Sequence, residues 1–150
     1  MIYDRTAEDI ENAKAVRVRL QSGEELTEDD VIVLERGCMT VNTINRINDK
    51  QTELKNQLND MGYWDTGISV MNVWETKHVF RENHFKQLID NANILRNAFF
   101  VYSSTPSTPS VSYHYTNVNA LEKILFDLGE MICDVKNHYR ICGDFECGEE

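Results

Sequence analysis

The feature that most constrains the fold is the apolar pattern of residues 116–140. Large side chains recur there at alternating steps of three and four residues, the spacing of one face of an α-helix. They are Val118, Leu121, Leu125, Leu128, Ile132, Val135 and Tyr139. The opposite face carries Glu122, Lys123, Asp127, Glu130, Asp134 and Lys136. Such a helix, with Thr116 as its N-cap, must bury its apolar face, so we expect a mainly α fold.

Four other segments carry helical periodicity and boundary signals. Together with the last helix, they predict helices over residues 6–22, 27–36, 40–61, 76–102 and 116–140, with Thr76 capping the fourth. Thr6 and Thr27 each precede an acid by three residues, as in a capping box. Gly37 is expected to stop the second helix, and Gln51 is the one polar interruption in the apolar face of the third. We expect the third and fifth helices to lie antiparallel as two long rods.

The remaining segments complete the predicted architecture. Residues 63–75 lose the helical period and contain two tryptophans, and the Ser/Thr-rich loop 103–110 contains both prolines, which cannot continue a helix. Residues 141–150 are expected to form a short hairpin or an extended tail. We therefore expect residues 1–150 to form one domain, an antiparallel bundle of about five helices with a Ser/Thr/Pro loop.

The charge balance limits the classes of partner. The chain contains 25 acidic and 15 basic residues, a formal net charge of −10. Nucleic acids and anionic membranes bind concentrated basic surfaces, so neither is an expected partner. No apolar run approaches the roughly 18 residues that indicate a membrane span, and the first residues lack the pattern of a signal peptide. We expect a cytoplasmic protein.

Four candidate metal ligands fall close together near the carboxyl end of the sequence. Cys133, His138, Cys142 and Cys147 are residue types that bind zinc, but their spacing differs from the usual tight C-x₂₋₄-C pairs. No cysteine clearly begins a helix, where its pKa would fall and a Cys–His dyad could use it. We expect free thiols and no metal, cofactor or catalytic residue. A small metal- or thiol-dependent enzyme or sensor that uses this cluster is the alternative.

Aromatic residues outside the main helical stripes supply a candidate interaction surface. Tryptophan and tyrosine dominate the energetics of many protein interfaces. Most aromatics are expected to anchor the core or the loops. We predict that a minority bind a partner protein, namely Trp64, Trp74, Tyr113, Tyr115 and Phe145.

Several short motifs follow one another along the chain. They are Asp4-Arg5-Thr6, Asn45-Arg46, Gly62-Tyr63, the run 116–123 with its pair Glu122-Lys123, and Gly143-Asp144-Phe145 with Gly148-Glu149. In this order they resemble a family of small helical proteins encoded among the virion-structure genes of phages and prophages of Gram-positive bacteria. Cys142 and Cys147 depart from the family, since they stand where small residues are expected.

The resemblance implies a function without catalysis. Members of the family are minor structural or tail-associated proteins, so we expect a phage tail or baseplate component that is present in the cytoplasm during assembly. Its expected partners are other virion or tail proteins, with self-association as a further option. An acidic helical regulator that blocks a nucleic-acid-binding protein is a third hypothesis, allowed by the net charge of −10.

Overall fold

A computed structural model describes residues 1–63 and 67–143, with side chains as far as His138. The described residues form five α-helices and no strand, which confirms the prediction of a mainly α fold. The helices are α1 (Ala7–Gln21), α2 (Glu28–Gly37), α3 (Val41–Asp60), α4 (Glu82–Ala98) and α5 (Tyr115–Gly143). Within the described part of the chain, no helix is long and apolar enough to cross a membrane.

Capping boxes fix the starts of α1 and α2. The Thr6 hydroxyl accepts from the N–H of Asp9, and the Asp9 carboxylate accepts from the N–H of Thr6. Thr27 and Asp30 repeat this arrangement in α2. Arg36 donates to the Asp9 carboxylate at 3.0 Å, and this bond is the main reason why the pKa of Asp9 falls to about 2. One carboxylate therefore caps α1 and also joins it to α2.

Gly37 allows α1 and α2 to pack at close range. It is buried at the end of α2. A Cβ atom added there would lie 2.2 Å from the carbonyl oxygen of Asp9 and 2.3 Å from the Cβ of Ala13. The glycine that we predicted as a helix stop is thus also required by the contact between two helices, because any side chain would force them apart.

Helices α3 and α5 run in the same direction. Near their starts, the guanidinium of Arg46 lies 2.8 Å from the carboxylate of Glu122. Two turns further on, a Cβ atom at Gly129 would lie 3.6 Å from the side chain of Leu54. Later residues of α3 thus contact later residues of α5, which is the pattern of a parallel pair. The predicted antiparallel arrangement is therefore wrong.

Helix α4 shares the direction of α3. Near its start, the ring of His84 lies 4.7 Å from that of Trp74, whose backbone is bound by Asn45 near the start of α3. At the far end, Tyr63 follows α3 and packs edge-on against Phe99, which follows α4, with ring centroids 5.1 Å apart. Helices α3, α4 and α5 therefore run parallel to one another and share one core.

Long connections make the parallel arrangement possible. A helix of 20 residues is about 30 Å long, and an extended chain covers roughly 3.3 Å per residue. The chain therefore needs about ten residues to return to the start of the next helix. The connections 61–81 and 99–114 both exceed this length.

Both predicted ends of the fourth helix are wrong, and the fifth helix is longer than predicted. The fourth helix does not begin at Thr76, because the ring of His84 accepts the N–H of Arg81 and fixes the start at Glu82. It also ends at Ala98 rather than at residue 102. Helix α5 begins one residue before Thr116, whose hydroxyl bonds to the ring of His114 rather than capping the helix. Residues 141–143, predicted as tail, belong to α5, and 144–150 lie outside the described residues.

The core lies among α3, α4 and α5. Its largest fully buried side chains include Ile47, Leu54, Leu58, Phe85, Leu88, Leu95, Leu121, Leu125, Leu128 and Ile132. Glu122 and Asp127, which we assigned to the exposed face of the last helix, are only 0% and 3% exposed. Asp127 is buried because it accepts a hydrogen bond from Thr105 at 2.8 Å and pairs with Lys123. Glu122 is buried because two arginines neutralise it, as described below.

Candidate protein-binding site

Asparagine side chains of α3 bind the backbone of the connection that leads to α4. The amide of Asn45 accepts from the N–H of Trp74 at 2.8 Å and donates to its carbonyl oxygen at 3.0 Å. Asn48 binds Met71 in the same way, at 3.0 and 2.9 Å. Each side chain satisfies both polar groups of one residue, which is what a neighbouring β-strand does. We call these pairs the asparagine clamps.

A third clamp comes from α4. Asn91 accepts from the N–H of Ser69 at 3.1 Å and donates to its carbonyl oxygen at 2.8 Å. Gln51, the polar interruption of α3, is buried between the helices. It accepts from Asn91 at 3.2 Å and donates to the carbonyl oxygen of Leu88 at 2.6 Å. Because these buried amides are paired, residues 69–74 have one well-defined path over the core.

An aromatic cluster lies where the clamped connection meets the start of α4. Its members are Trp74, His78, Phe80, His84, Phe85 and Tyr113. Trp74 contacts the ring of Phe80 edge-on at 5.3 Å, and Tyr113 stacks on Phe85 at 5.1 Å. Partial burial raises the pKa of Tyr113, and the carboxylate of Glu82 raises it further. Two residues predicted to bind a partner, Trp74 and Tyr113, thus lie in one cluster.

The other predicted interface residues lie elsewhere. The ring of Tyr115 lies 4.6 Å from that of His114. Both residues line a separate cavity of about 400 Å³, together with Cys38. Trp64 and Phe145 fall outside the described residues, so their predicted role stays a prediction.

A groove of about 640 Å³ opens beside the aromatic cluster. Its apolar side chains are unusually exposed for valine: Val70 by 45%, Val73 by 69% and Val79 by 70%. Lys77 and Arg81 add two positive charges to its lining. We call this surface the basic groove. Its lining also includes Met71, Asn72, Trp74, His78, Asn83, His84 and Gln87.

Both histidines of the basic groove are fixed by backbone groups. The Nδ1 atom of His78 accepts from the N–H of Glu75 at 3.0 Å, and that of His84 accepts from the N–H of Arg81 at 3.0 Å. A ring that accepts at Nδ1 carries its proton on Nε2. Each imidazole therefore has an N–H donor on the side away from the backbone.

The structure describes only part of the predicted Cys/His cluster. Cys133 is exposed and receives a weak contact from Asn137 at 3.6 Å, while the ring of His138 bonds to the carbonyl oxygen of Asp134 at 2.6 Å. Among the described residues, no three His, Cys, Asp or Glu side chains are placed to hold a metal ion. The side chains of Cys142 and Cys147 are not described, so the metal and thiol hypotheses stay predictions.

Three of the sequence motifs meet at one buried carboxylate. Glu122 pairs with Arg5 at 3.2 Å and with Arg46 at 2.8 Å, and it also accepts from the N–H of Ile2. Asn119 forms a fourth clamp, accepting from the N–H of Arg5 at 3.3 Å and donating to its carbonyl oxygen at 2.8 Å. These residues join the N-terminal segment to α3 and α5. Their role in the described structure is therefore to hold the fold together.

Comparison of the chain with protein-family models, with curated proteins and with solved structures finds no match.

Proposed function

We propose that this protein is a non-enzymatic structural or assembly component that acts through protein–protein contacts. The basic groove and the aromatic cluster are its proposed working surface. The observation that carries the proposal is the exposure of Val70 and Val73 on the segment that the asparagine clamps hold in place, with Val79 exposed in the same groove. A pre-organised apolar surface loses little conformational entropy when a partner covers it.

We further propose that the partners are proteins of a phage or prophage tail or baseplate. This assignment rests on the order of the sequence motifs and on their resemblance to virion-associated proteins. The protein would be in the cytoplasm during assembly and would then join the virion. Self-association through the same surface is the other arrangement that this chemistry allows.

The test is association with tail particles. Tails purified by density gradient from an induced lysogen that encodes this chain should contain the protein. A double variant, Val73→Asp with Val79→Asp, should associate at least about tenfold less, a change of about 1.4 kcal/mol. The matched control is Val18→Asp with Ile32→Asp, which also adds two negative charges, at positions 65% and 61% exposed on α1 and α2, away from the groove.

Three results would count against this proposal. The wild-type protein could be missing from every tail fraction, the groove variant could associate as well as the wild type, or the control could lose as much binding as the groove variant. Sedimentation velocity of the purified protein separates self-association from binding to tails. If the wild type forms a dimer and the groove variant does not, the partner of this surface is a second copy of this chain and not a tail protein.

A further inference from the structure

The basic groove differs in charge from the rest of the protein. The chain has ten more acidic than basic residues, yet among the described residues the lining of the groove includes Lys77 and Arg81 and no acid. Glu75 stands outside the lining and pairs with Lys77 at 2.7 Å, an exposed contact that is easily exchanged. Arg81 forms no ion pair with any residue that the structure describes. The groove is therefore suited to negative charge.

Neighbouring groups add hydrogen-bond donors to the two cations. His78 and His84 each direct Nδ1 to the backbone and keep an N–H on Nε2. The groove also includes the start of α4, with Arg81 at the N-cap and Asn83 in the first turn, where the helix dipole favours an anion. Glu82, the acid of that turn, lies outside the lining. Carboxylates accept hydrogen bonds from such donors, and charged acceptors bind them more strongly than neutral ones.

The apolar part of the groove indicates what carries the negative charge. Val70, Val73 and Val79 would gain nothing from a small inorganic anion, but they can be covered by the side chains of a peptide. None of the hydrogen bonds within the described structure uses the N–H groups of Val70, Asn72 or Val73. No described residue accepts from these groups, which can therefore donate to the carbonyl oxygens of a peptide backbone. A nucleic acid is disfavoured, because two cations on a chain of net charge −10 would not offset phosphate repulsion.

We infer that the basic groove binds a peptide segment of a partner protein in which carboxylates alternate with apolar side chains. This inference rests on the proposed protein-binding function and names the chemistry of the partner. The carboxylates contact Lys77 and Arg81, and the apolar side chains cover the three exposed valines.

A labelled peptide tests this assignment directly. The probe is a fluorescein-labelled decapeptide that alternates valine with glutamate, and binding to the full chain is followed by fluorescence anisotropy at low salt. The double variant Lys77→Glu with Arg81→Glu should raise Kd at least about tenfold. The control, Lys14→Glu with Arg17→Glu on α1, makes the same change in net charge away from the groove and should leave Kd within about twofold. Far-UV circular dichroism verifies that both variants are folded.

Control ligands decide between specific binding and a bulk charge effect. A decapeptide that alternates valine with lysine should not bind. The assignment is overturned if the glutamate peptide does not bind the wild type, or if both double variants weaken it equally. It is also overturned if a single-stranded oligodeoxythymidylate of similar charge binds as tightly as the peptide.

The same variants separate this inference from the proposed function. If Lys77→Glu with Arg81→Glu loses both the peptide and the tail particles, the inference is supported. If that variant loses the peptide but still associates fully with tails, the groove is not the site of partner binding, although the protein remains a tail component. If the wild type binds the peptide but is never found with tails, the groove assignment is supported and the tail assignment fails.

Discussion

The side chain of Asn48 binds both main-chain polar groups of Met71, a residue 23 positions away in the sequence. Asn48 is 4% exposed, so water cannot replace these bonds when they are lost. The connection that carries the exposed valines therefore depends on an amide buried in α3. The Asn48 side chain therefore links the basic groove to the core.

Replacing this amide by a carboxylate should destabilise the protein. Asn48→Asp keeps the acceptor but loses the donor, leaving the carbonyl oxygen of Met71 unpaired beside a buried negative charge. We expect a loss of about 2–3 kcal/mol in the free energy of unfolding, measured by urea denaturation. Asn56→Asp, at an exposed position of the same helix, is the control and should change stability by less than about 0.5 kcal/mol. Equal unfolding midpoints for the two variants would show that the clamp contributes nothing.

Removing the charge of Glu122 should be more costly. Glu122→Gln leaves Arg5, whose side chain is only 3% exposed, and Arg46 without their shared carboxylate. We expect a loss of about 3–5 kcal/mol, because buried charge is left uncompensated. Glu130→Gln is the matched control on the exposed face of the same helix. Thermal unfolding measures both, and similar melting temperatures would contradict the structural role of the ion pairs.

Substitution by alanine should have opposite effects on stability at Gly37 and at Gly129. Gly37→Ala should destabilise by about 1–3 kcal/mol, because its Cβ would overlap the backbone of Asp9. Gly129→Ala should instead stabilise by roughly 0.5–1 kcal/mol, because alanine favours the helix and the close neighbour of its Cβ is the flexible far end of Lys50, at 3.2 Å, while Leu54 lies at an ordinary contact distance of 3.6 Å. Urea unfolding of both variants tests the contrast. A stabilised Gly37→Ala variant would show that α1 and α2 can separate without cost.

Acid should weaken the contact between α1 and α2. The hydrogen bond from Arg36, followed by the backbone bond to Thr6, lowers the pKa of Asp9 from 3.8 to about 2. The folded state therefore binds this proton less readily than the unfolded state, and the contribution of Asp9 is present above about pH 4. It is lost as the pH falls from about 4 to about 2.

A pH series of unfolding experiments tests this linkage. The stability of the wild type should fall more steeply between pH 5 and pH 2 than that of Asp9→Asn, which has no carboxylate to protonate at this position. Asp30 also has a lowered pKa, caused mainly by the Thr27 hydroxyl, but it titrates in both proteins. Asp49→Asn, at an exposed position, should keep the wild-type slope. Parallel pH curves for the wild type and Asp9→Asn would contradict the prediction.

Local signals in the sequence were sufficient to predict the helices but not their directions. The capping boxes at Thr6 and Thr27 depend on residues three positions apart, so they can be recognised directly. The direction of α5 relative to α3 depends on whether the connections 61–81 and 99–114 return along the length of the helix before the next one begins. The periodicity of apolar residues contains no information about the path of these connections. The burial of Glu122 likewise follows from arginines in two distant segments.

The candidate site was predicted only in part. Trp74 and Tyr113 were predicted because tryptophan and tyrosine dominate the energetics of many protein interfaces, and the structure places both in the aromatic cluster. Lys77 and Arg81 were missed because we assigned residues 76–102 to one helix, in which two cations four positions apart would form part of an ordinary solvated face. Two cations and two histidines within residues 77–84 of an acidic chain were the available signal. The asparagine clamps could not be predicted, since they join segments far apart in the sequence.

The position of Glu122 has a consequence for synthesis in the cell. Arg5 is translated 117 residues before the carboxylate that neutralises it. At about 5–20 residues per second, the ribosome takes on the order of ten seconds to reach that codon. Throughout this delay the guanidinium of Arg5 lacks the carboxylate that neutralises it in the folded protein. A nascent chain that stalls before residue 119 therefore has neither the Asn119 clamp nor the Glu122 carboxylate to join the N-terminal segment to α5.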